Sequence, residues 1–254
     1  MAAASLREQL GLGKGVIVAA GAGGKKTVLY ALAGQFPGRV GITTTVNCPL
    51  PPTNWRGEVI VAPEPELTDR LHDRSGTGAE VFFAAPGKRE ELVGGISPTF
   101  VATLRSEAVF DVLLVKADGA RRRLIKAPGE GEPNYPPGTD IVLYLVSAHA
   151  FGRTLESGIA HRIDELAAVT GLRRDTAIEP EHVARLLSSE SGALKNLARG
   201  TRIVPVINRA DTPLRRRLAV EAARLALKRT DRFDTVLVGC MGENPPVFEA
   251  VTRL

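Results

Sequence analysis

The stretch V-I-V-A-A-G-A-G-G-K-K-T-V-L-Y, Val16 to Tyr30, constrains the fold more than any other part of the chain. A short apolar run, Val16–Ala20, enters a cluster of glycines and two lysines, and an apolar helical pattern begins at Val28. A strand, a tight glycine turn and a helix start are how a phosphate-binding loop is built. The P-loop pattern reads G-x-x-x-x-G-K-[ST]. Gly24-Lys25 supplies its G-K, Ala19 stands where the first glycine belongs, and Lys26 stands where the Mg²⁺-binding hydroxyl belongs. The nucleotide-binding candidates are therefore Gly21, Ala22, Gly23, Gly24, Lys25, Lys26 and Thr27. The glycines let backbone N–H groups curl around a phosphate, Lys25 adds charge, and the helix N-terminus adds its dipole. A Rossmann loop is the nearest rival, but its third glycine would fall on Lys26, and the next strand ends in Thr43-Thr44-Thr45 rather than in an acid. The plain alternative is a strand-to-helix turn with solvated lysines.

The rest of the chain repeats the alternation. Strands are predicted at Val40–Thr44, Val59–Ala62, Val81–Ala84, Val109–Ala117, Ile141–Ser147, Thr201–Ile207 and Thr235–Gly239. Helices are predicted at Thr27–Gln35, Ser97–Glu107, Gly158–Thr170, Glu179–Leu187, Pro213–Lys228 and Pro246–Thr252, with a further charged helical stretch between Ala62 and Val81. This order implies one α/β domain over residues 1–254, a P-loop NTPase-like three-layer sandwich with a mainly parallel central sheet. Ligands in such sheets bind beyond the carboxyl ends of the strands, where the candidate motifs fall. A composition of 44% hydrophobic and 24% charged residues is enough for a sizeable core. No run approaches the roughly 18 apolar residues of a membrane span. The N-terminus lacks the basic start and apolar stretch of a signal peptide. Two cysteines, Cys48 and Cys240, make neither a disulfide framework nor metal-ligand spacing, so a reducing, cytoplasmic setting is expected. A net charge of +5 admits an anionic ligand without demanding nucleic acid.

A P-loop site needs an acid at the end of a buried strand to hold Mg²⁺, and Asp118, after V-L-L-V-K-A, fits. Thr27 is the other candidate metal ligand. The alternative is an aspartate that simply opens the Asp118-Gly119 turn. Arg121, Arg122, Arg123 and Lys126 follow in a long irregular segment, Asp118–Gly138. Arg121, Arg122 and Lys126, with Thr44 and Thr45 of the threonine run, are candidates to clamp the γ-phosphate or an anionic substrate; otherwise the basic run is solvated.

V-P-V-I-N-R-A-D, Val204 to Asp211, is similar to the guanine-specifying N-K-x-D of GTPases. There the Asp accepts from guanine N1 and N2, the Asn fixes the base edge and the Lys stem covers the ring. Asn208, Arg209 and Asp211 take these places, and the Arg209 guanidinium can still stack on a base. A carboxylate set against the wrong edge discriminates strongly, which favours GTP over ATP. The alternative is a cap for the Pro213 helix, with Asp211 as N-cap or nearby. His72, His149, His161 and His182 show no ligand spacing and read as structural or surface groups. Arg173-Arg174 and Arg215-Arg216-Arg217 lack interleaved aromatics, so they give little support to nucleic-acid binding.

With G-A-G-G-K, I-T-T-T, A-D-G-A-R-R, K-A-P and N-R-A-D in this order, the chain resembles the YqeC-like family of accessory proteins for selenium-dependent molybdenum hydroxylases. The resemblance runs from about Gly15 to Gly239 and is most specific over A-D-G-A-R-R-R-L-I-K-A-P, Ala117 to Pro128. His161-Arg162, followed by an acid and a helix, is also similar to a family element. The resemblance implies a P-loop NTPase fold and a partner among molybdenum hydroxylases or their cofactor-maturation proteins; the residues themselves point to GTP or ATP as ligand, with Lys25 and Asp118 as the candidate catalytic groups and Mg²⁺ disfavoured by Lys26. The chain departs from the family pattern at Lys26, where Thr is typical, at Lys116, where Glu is typical, and at Gly131-Glu132-Pro133, where H-E-P is typical. It also lacks the His or Lys found close to Val46-Asn47. The resemblance therefore implies binding more directly than hydrolysis.

Overall fold

A computed structural model of the chain describes residues 5–11, 13–73, 80–156, 158–243 and 246–253. The first half holds α1 (Leu6–Leu10), β1 (Gly15–Gly21), α2 (Lys25–Ala33), β2 (Val40–Thr44), β3 (Glu58–Val61), α3 (Glu64–His72), β4 (Glu80–Ala84), α4 (Pro98–Ser106) and β5 (Val112–Lys116). The second holds β6 (Ile125–Lys126), β7 (Ile141–Ser147), β8 (Ala160–His161), α5 (Ile163–Thr170), α6 (Pro180–Ser188), β9 (Arg202–Asn208), α7 (Pro213–Arg229), β10 (Thr235–Cys240) and β11 (Val247–Thr252). The fold is α/β, with a mainly parallel nine-stranded sheet in the order β11-β10-β9-β7-β1-β5-β2-β4-β3.

Two compact units divide the chain. Unit 1 takes its described residues from Met1–Val18, Leu29–Gly119 and Asn134–Asp140; unit 2 takes them from Ala19–Val28, Ala120–Pro133 and Ile141–Leu254. In unit 1 the β2 and β5 strands run parallel from Val40↔Val112 to Thr44↔Lys116, so their carboxyl ends lie level. The apolar runs that form them are buried on both sides, as parallel strands require. Phe83 and Phe110 stack at 5.5 Å between ring centroids, and the Arg39 guanidinium lies over Phe110 at 4.5 Å. Arg39 is itself buried and donates to the carbonyls of Val109 and Leu71, which compensates the desolvation of its charge.

In unit 2 every residue of β7 is buried, and β7 pairs with β9 from Ile141↔Arg202 to Ser147↔Asn208. Ser147 and Asn208 are therefore opposite one another at the strand ends. α7 packs on α6 and β10 through an alanine-rich face, Ala219, Ala222, Ala223 and Ala226, whose small side chains allow close approach.

Two element predictions are corrected. Pro246–Thr252, expected as the last helix, contains strand β11, which pairs antiparallel with β10 from Thr235↔Thr252 to Cys240↔Val247. V-F-E-A-V-T is rich in residues that suit a pleated surface, and pairing with a long-range partner decides between two local readings. The helix expected over Gly158–Thr170 begins only at Ile163. Ala160–His161 instead forms β8, parallel to β6, and Arg162 turns the chain in a left-handed conformation at φ 60°. The α1 helix was not anticipated; a Ser5/Glu8 capping box holds this single turn. No helix among the described residues is long and apolar enough to cross a membrane.

Candidate functional site

The glycine loop lies in unit 2. Gly21 closes β1 at φ +83°, and Gly23 and Gly24 follow at +91° and +119°. These conformations exclude most side chains, and space excludes the rest. An added Cβ at Gly21 would run into the Leu145 carbonyl oxygen; at Gly23 it would meet the Ser147 nitrogen at 2.5 Å, and at Gly24 the Asn208 amide nitrogen at 2.6 Å. The loop thus curls tightly against the ends of β7 and β9. Ala22, buried between the glycines, donates its N–H to the Leu145 carbonyl at 2.8 Å, so this N–H serves the fold. Lys25 is buried and donates through Nζ to the Gly21 carbonyl, crossing the loop. The Val28 N–H to Gly24 carbonyl bond, 3.0 Å, starts α2.

Lys26 is half-buried and Thr27 exposed, both on the first turn of α2, which carries no acidic residue. Cations at a helix N-terminus oppose its dipole, by about 0.3–1 kcal/mol each. Two lysines there, beside three backbone-curling glycines, concentrate positive potential at one point.

The N-R-A-D motif meets this loop through its first residue. Asn208 is buried, donates Nδ2–H to the Gly23 carbonyl at 2.9 Å, and accepts at Oδ1 from the N–H groups of Arg209, 2.8 Å, and Met241, 2.9 Å. Its amide ties the loop to the ends of β9 and β10. Arg209 is exposed and left-handed at φ 62°. The Asp211 carboxylate pairs with His149 Nε2 at 2.8 Å and accepts from Arg215 Nη1 at 2.8 Å. Partial burial pushes the Asp211 carboxyl up, but the His149 and Arg215 hydrogen bonds outweigh it and hold it at about 2. The cap of α7 is Thr212, whose hydroxyl accepts from the Arg215 N–H at 3.2 Å; Asp211 precedes it. His149, set aside from spacing alone, is the partner that sequence reasoning missed, because it lies on the turn after β7.

The basic loop, also in unit 2, splits in character. Arg121 and Arg122 are exposed, whereas Lys126 is fully buried. Lys126 Nζ lies 2.7 Å from Glu132 Oε2, and the same oxygen accepts from Arg162 Nε at 3.2 Å. Burial pushes the Glu132 carboxyl up; Lys126 and then Arg162 more than reverse this, to about 2. The Lys126 backbone carbonyl accepts from the Tyr144 hydroxyl at 3.0 Å, and Lys195 Nζ donates to the Gly129 carbonyl at 2.6 Å. Lys126 is accordingly built into an internal ion cluster. Glu132 and Arg162, its keepers, carried no spacing signal.

Unit 1 holds the remaining candidates. Asp118 is fully buried just beyond β5, and the register of β2 with β5 brings the Thr44–Thr45 end level with it. The Tyr135 phenol is also close to Asp118; burial first, and then that carboxylate, raise its proton affinity. Thr44 donates to the Val46 carbonyl at 2.7 Å and is held within the fold. The Thr45 hydroxyl is buried and makes no hydrogen bond among the described residues.

Mg²⁺ requires oxygen ligands in near-octahedral order. The loop of unit 2 offers two ammonium groups and one exposed hydroxyl, Thr27, a set that does not fit the ion. Elsewhere in unit 2 a groove of about 630 Å³ runs along α7 and β11, lined by Arg216, Arg217, Arg224, Lys228 and Glu249; it includes no residue of the glycine loop.

The family model described as YqeC protein matches residues 17–164. The uncharacterized protein YqeC of Escherichia coli (strain K12) is 32% identical over 197 residues, covering 76% of this chain and 75% of that one. Among solved structures, HypB from Helicobacter pylori in complex with nickel is similar with a TM-score of 0.39 and 14% identity, over 93% of this chain and 83% of that chain.

Proposed function

The chain belongs to the YqeC family, and we propose that its task there begins with binding a purine nucleoside triphosphate, GTP ahead of ATP, on the Gly21–Thr27 loop. One observation carries this reading: three glycines in left-handed or extended-positive conformations curl the chain at the N-terminus of α2, where Lys25 and Lys26 stand with no carboxylate in the first turn. A phosphate group is the ligand that uses all of these at once. Lys25 would exchange its Gly21 carbonyl for phosphate oxygens, and Gly23 and Gly24 would supply N–H donors.

Preference for guanine is supported by the N-R-A-D motif, which Asn208 links to the loop. The bond from Asn208 to the Gly23 carbonyl keeps N-R-A-D adjoining the phosphate loop, so one nucleotide can reach both. Asp211 is ionised, partly exposed and held in place by His149 and Arg215, which suits an acceptor for guanine N1 and N2. Arg209 would cover the ring. Asp211→Ala is expected to weaken GTP binding by about 1–3 kcal/mol, the effect of leaving buried polar groups unpaired, and to leave ATP binding nearly unchanged. Fluorescence titration with both nucleotides checks this; equal loss for the two would reduce Asp211 to an anchor for His149 and α7.

Asp118 is fully buried just beyond β5 in unit 1, level with the Thr44–Thr45 strand end. By family resemblance the cellular task is accessory: maturation of a selenium-dependent molybdenum hydroxylase or its cofactor. A second reading, a nucleotide-sensing scaffold with little or no hydrolysis, is favoured by Lys26. An ammonium occupies the position of the metal-binding hydroxyl, so the loop can hold phosphate without the ion that drives turnover. Affinity and turnover measured on the same preparation separate the two readings.

A further inference from the structure

We propose that Arg121 and Arg122, together with His161 and Arg162, form a second anion site that takes a small phosphate-bearing ligand other than the nucleotide. The first observation is a turn that suits its residues poorly. The Arg123 N–H bonds the Ala120 carbonyl at 2.7 Å, and both central residues, Arg121 at φ 45° and Arg122 at φ 61°, are left-handed. A four-residue turn of this kind selects Asn-Gly or Asp-Gly, because Cβ crowds the following carbonyl there: Gly has none, and the short polar side chains of Asn and Asp offset the cost by local hydrogen bonds. A chain that needed only the turn would not place two arginines there. Both guanidinium groups are exposed, and neither forms an ion pair among the described residues.

The second observation is that the turn is rigidly mounted. The Leu124 N–H bonds the Ile159 carbonyl at 2.9 Å, Ile125 and Lys126 pair with Ala160 and His161 in the β6–β8 sheet, and the Ser147 N–H bonds the Leu124 carbonyl at 2.9 Å. Guanidinium forks carried on a held backbone suit a tetrahedral oxyanion, whose oxygens they meet two at a time.

The third observation is local charge. His161 lies in a field set by Lys126, Arg162 and Arg121, with Glu132 acting against them, and burial followed by these cations lowers its proton affinity. Glu132 is already shared between Lys126 and Arg162, so Arg121 is left to be neutralised from outside. Arg162 is a further left-handed arginine, at φ 60°, fixed at the start of α5. The site stands apart from the nucleotide reading but close to it within unit 2. Gly23 packs against Ser147, whose N–H holds Leu124 directly below the arginine turn. A phosphate group held there is placed as a second substrate or a bound product would be.

The test is calorimetric titration of the full chain with inorganic phosphate at constant ionic strength, with and without saturating GTP. Saturable binding is expected in both conditions, with a Kd in the millimolar range or tighter. The double variant Arg121→Asn, Arg122→Gly removes both guanidinium groups and gives the turn its preferred residues. It is expected to lose phosphate affinity tenfold or more, to bind GTP within twofold of wild type, and to melt a few degrees higher. Phosphate should also raise the pH at which the His161 imidazole titrates by NMR in wild type, but not in the variant. Unchanged phosphate affinity in the variant, competition between phosphate and GTP, or a lower melting temperature would each overturn the proposal. If the chain bound no nucleotide at all, the phosphate titration without GTP would still decide this site by itself.

Discussion

Lys25→Ala is expected to lower triphosphate affinity about a hundredfold or more while leaving the fold intact. A charge-assisted hydrogen bond to phosphate in a buried setting contributes about 1.5–3 kcal/mol, and the loss of its Coulomb attraction adds to that. Lys25 is 6% exposed, so the ammonium works where water screens it poorly. Its Nζ bond to the Gly21 carbonyl lies within the loop itself. Isothermal titration with GTP checks the affinity, and a thermal melt checks the fold. Binding within about threefold of wild type would remove the lysine from the site.

The largest stability effect is expected at Glu132. Glu132→Gln removes the carboxylate that pairs with the fully buried Lys126 ammonium and with Arg162. Breaking a buried ion pair from one side destabilises by about 3–5 kcal/mol. The same cluster fixes a pH dependence. Glu132 titrates at about 2 in the folded chain and near 4.5 when unfolded. The unfolded state therefore takes up protons first as pH falls. The stabilisation, about 3 kcal/mol, is complete above the unfolded value and is lost between pH 4.5 and 2. Urea midpoints at pH 7 and pH 3 should fall steeply for wild type and much less for Glu132→Gln. Equal slopes would show that the cluster contributes nothing to acid sensitivity. Lys126→Met combined with Glu132→Gln should recover part of the loss, because an apolar side chain of similar length needs no partner.

The glycine loop was legible in the sequence because its constraint is local. Gly21, Gly23 and Gly24 are needed by their own backbone angles, and the strand before them and the helix after them announce themselves by periodicity. Alternation of apolar strands with helices gave the α/β class for the same reason. What was not legible depends on partners far along the chain. Val247–Thr252 became a strand through pairing with β10, which no window of its own residues reveals. Lys126 read as one more basic residue of an exposed loop, but Glu132 and Arg162 draw it inside. Asn208 read as a contact to a base edge, and its amide instead secures the loop at Gly23. His149 is 62 positions from Asp211. The strain in Arg121 and Arg122 is a conformational fact that residue identity alone does not carry.

Magnesium decides the central claim. Lys26 stands where a hydroxyl would ligate the ion. Two unit charges about 4 Å apart repel by roughly 4 kcal/mol at an effective dielectric near 20, and a divalent ion about doubles that. One metal–hydroxyl contact returns less. The ammonium should therefore neutralise phosphate in the place of the ion, with slow or absent hydrolysis as the consequence. The measurement is GTP affinity by isothermal titration in EDTA and in millimolar Mg²⁺, with turnover followed on the same samples, for wild type and for Lys26→Thr. Wild type is expected to bind GTP with affinities within about threefold in the two conditions and to hydrolyse it very slowly, while Lys26→Thr gains a clear dependence on Mg²⁺. A wild-type chain that binds only with Mg²⁺ and turns over briskly would contradict the account.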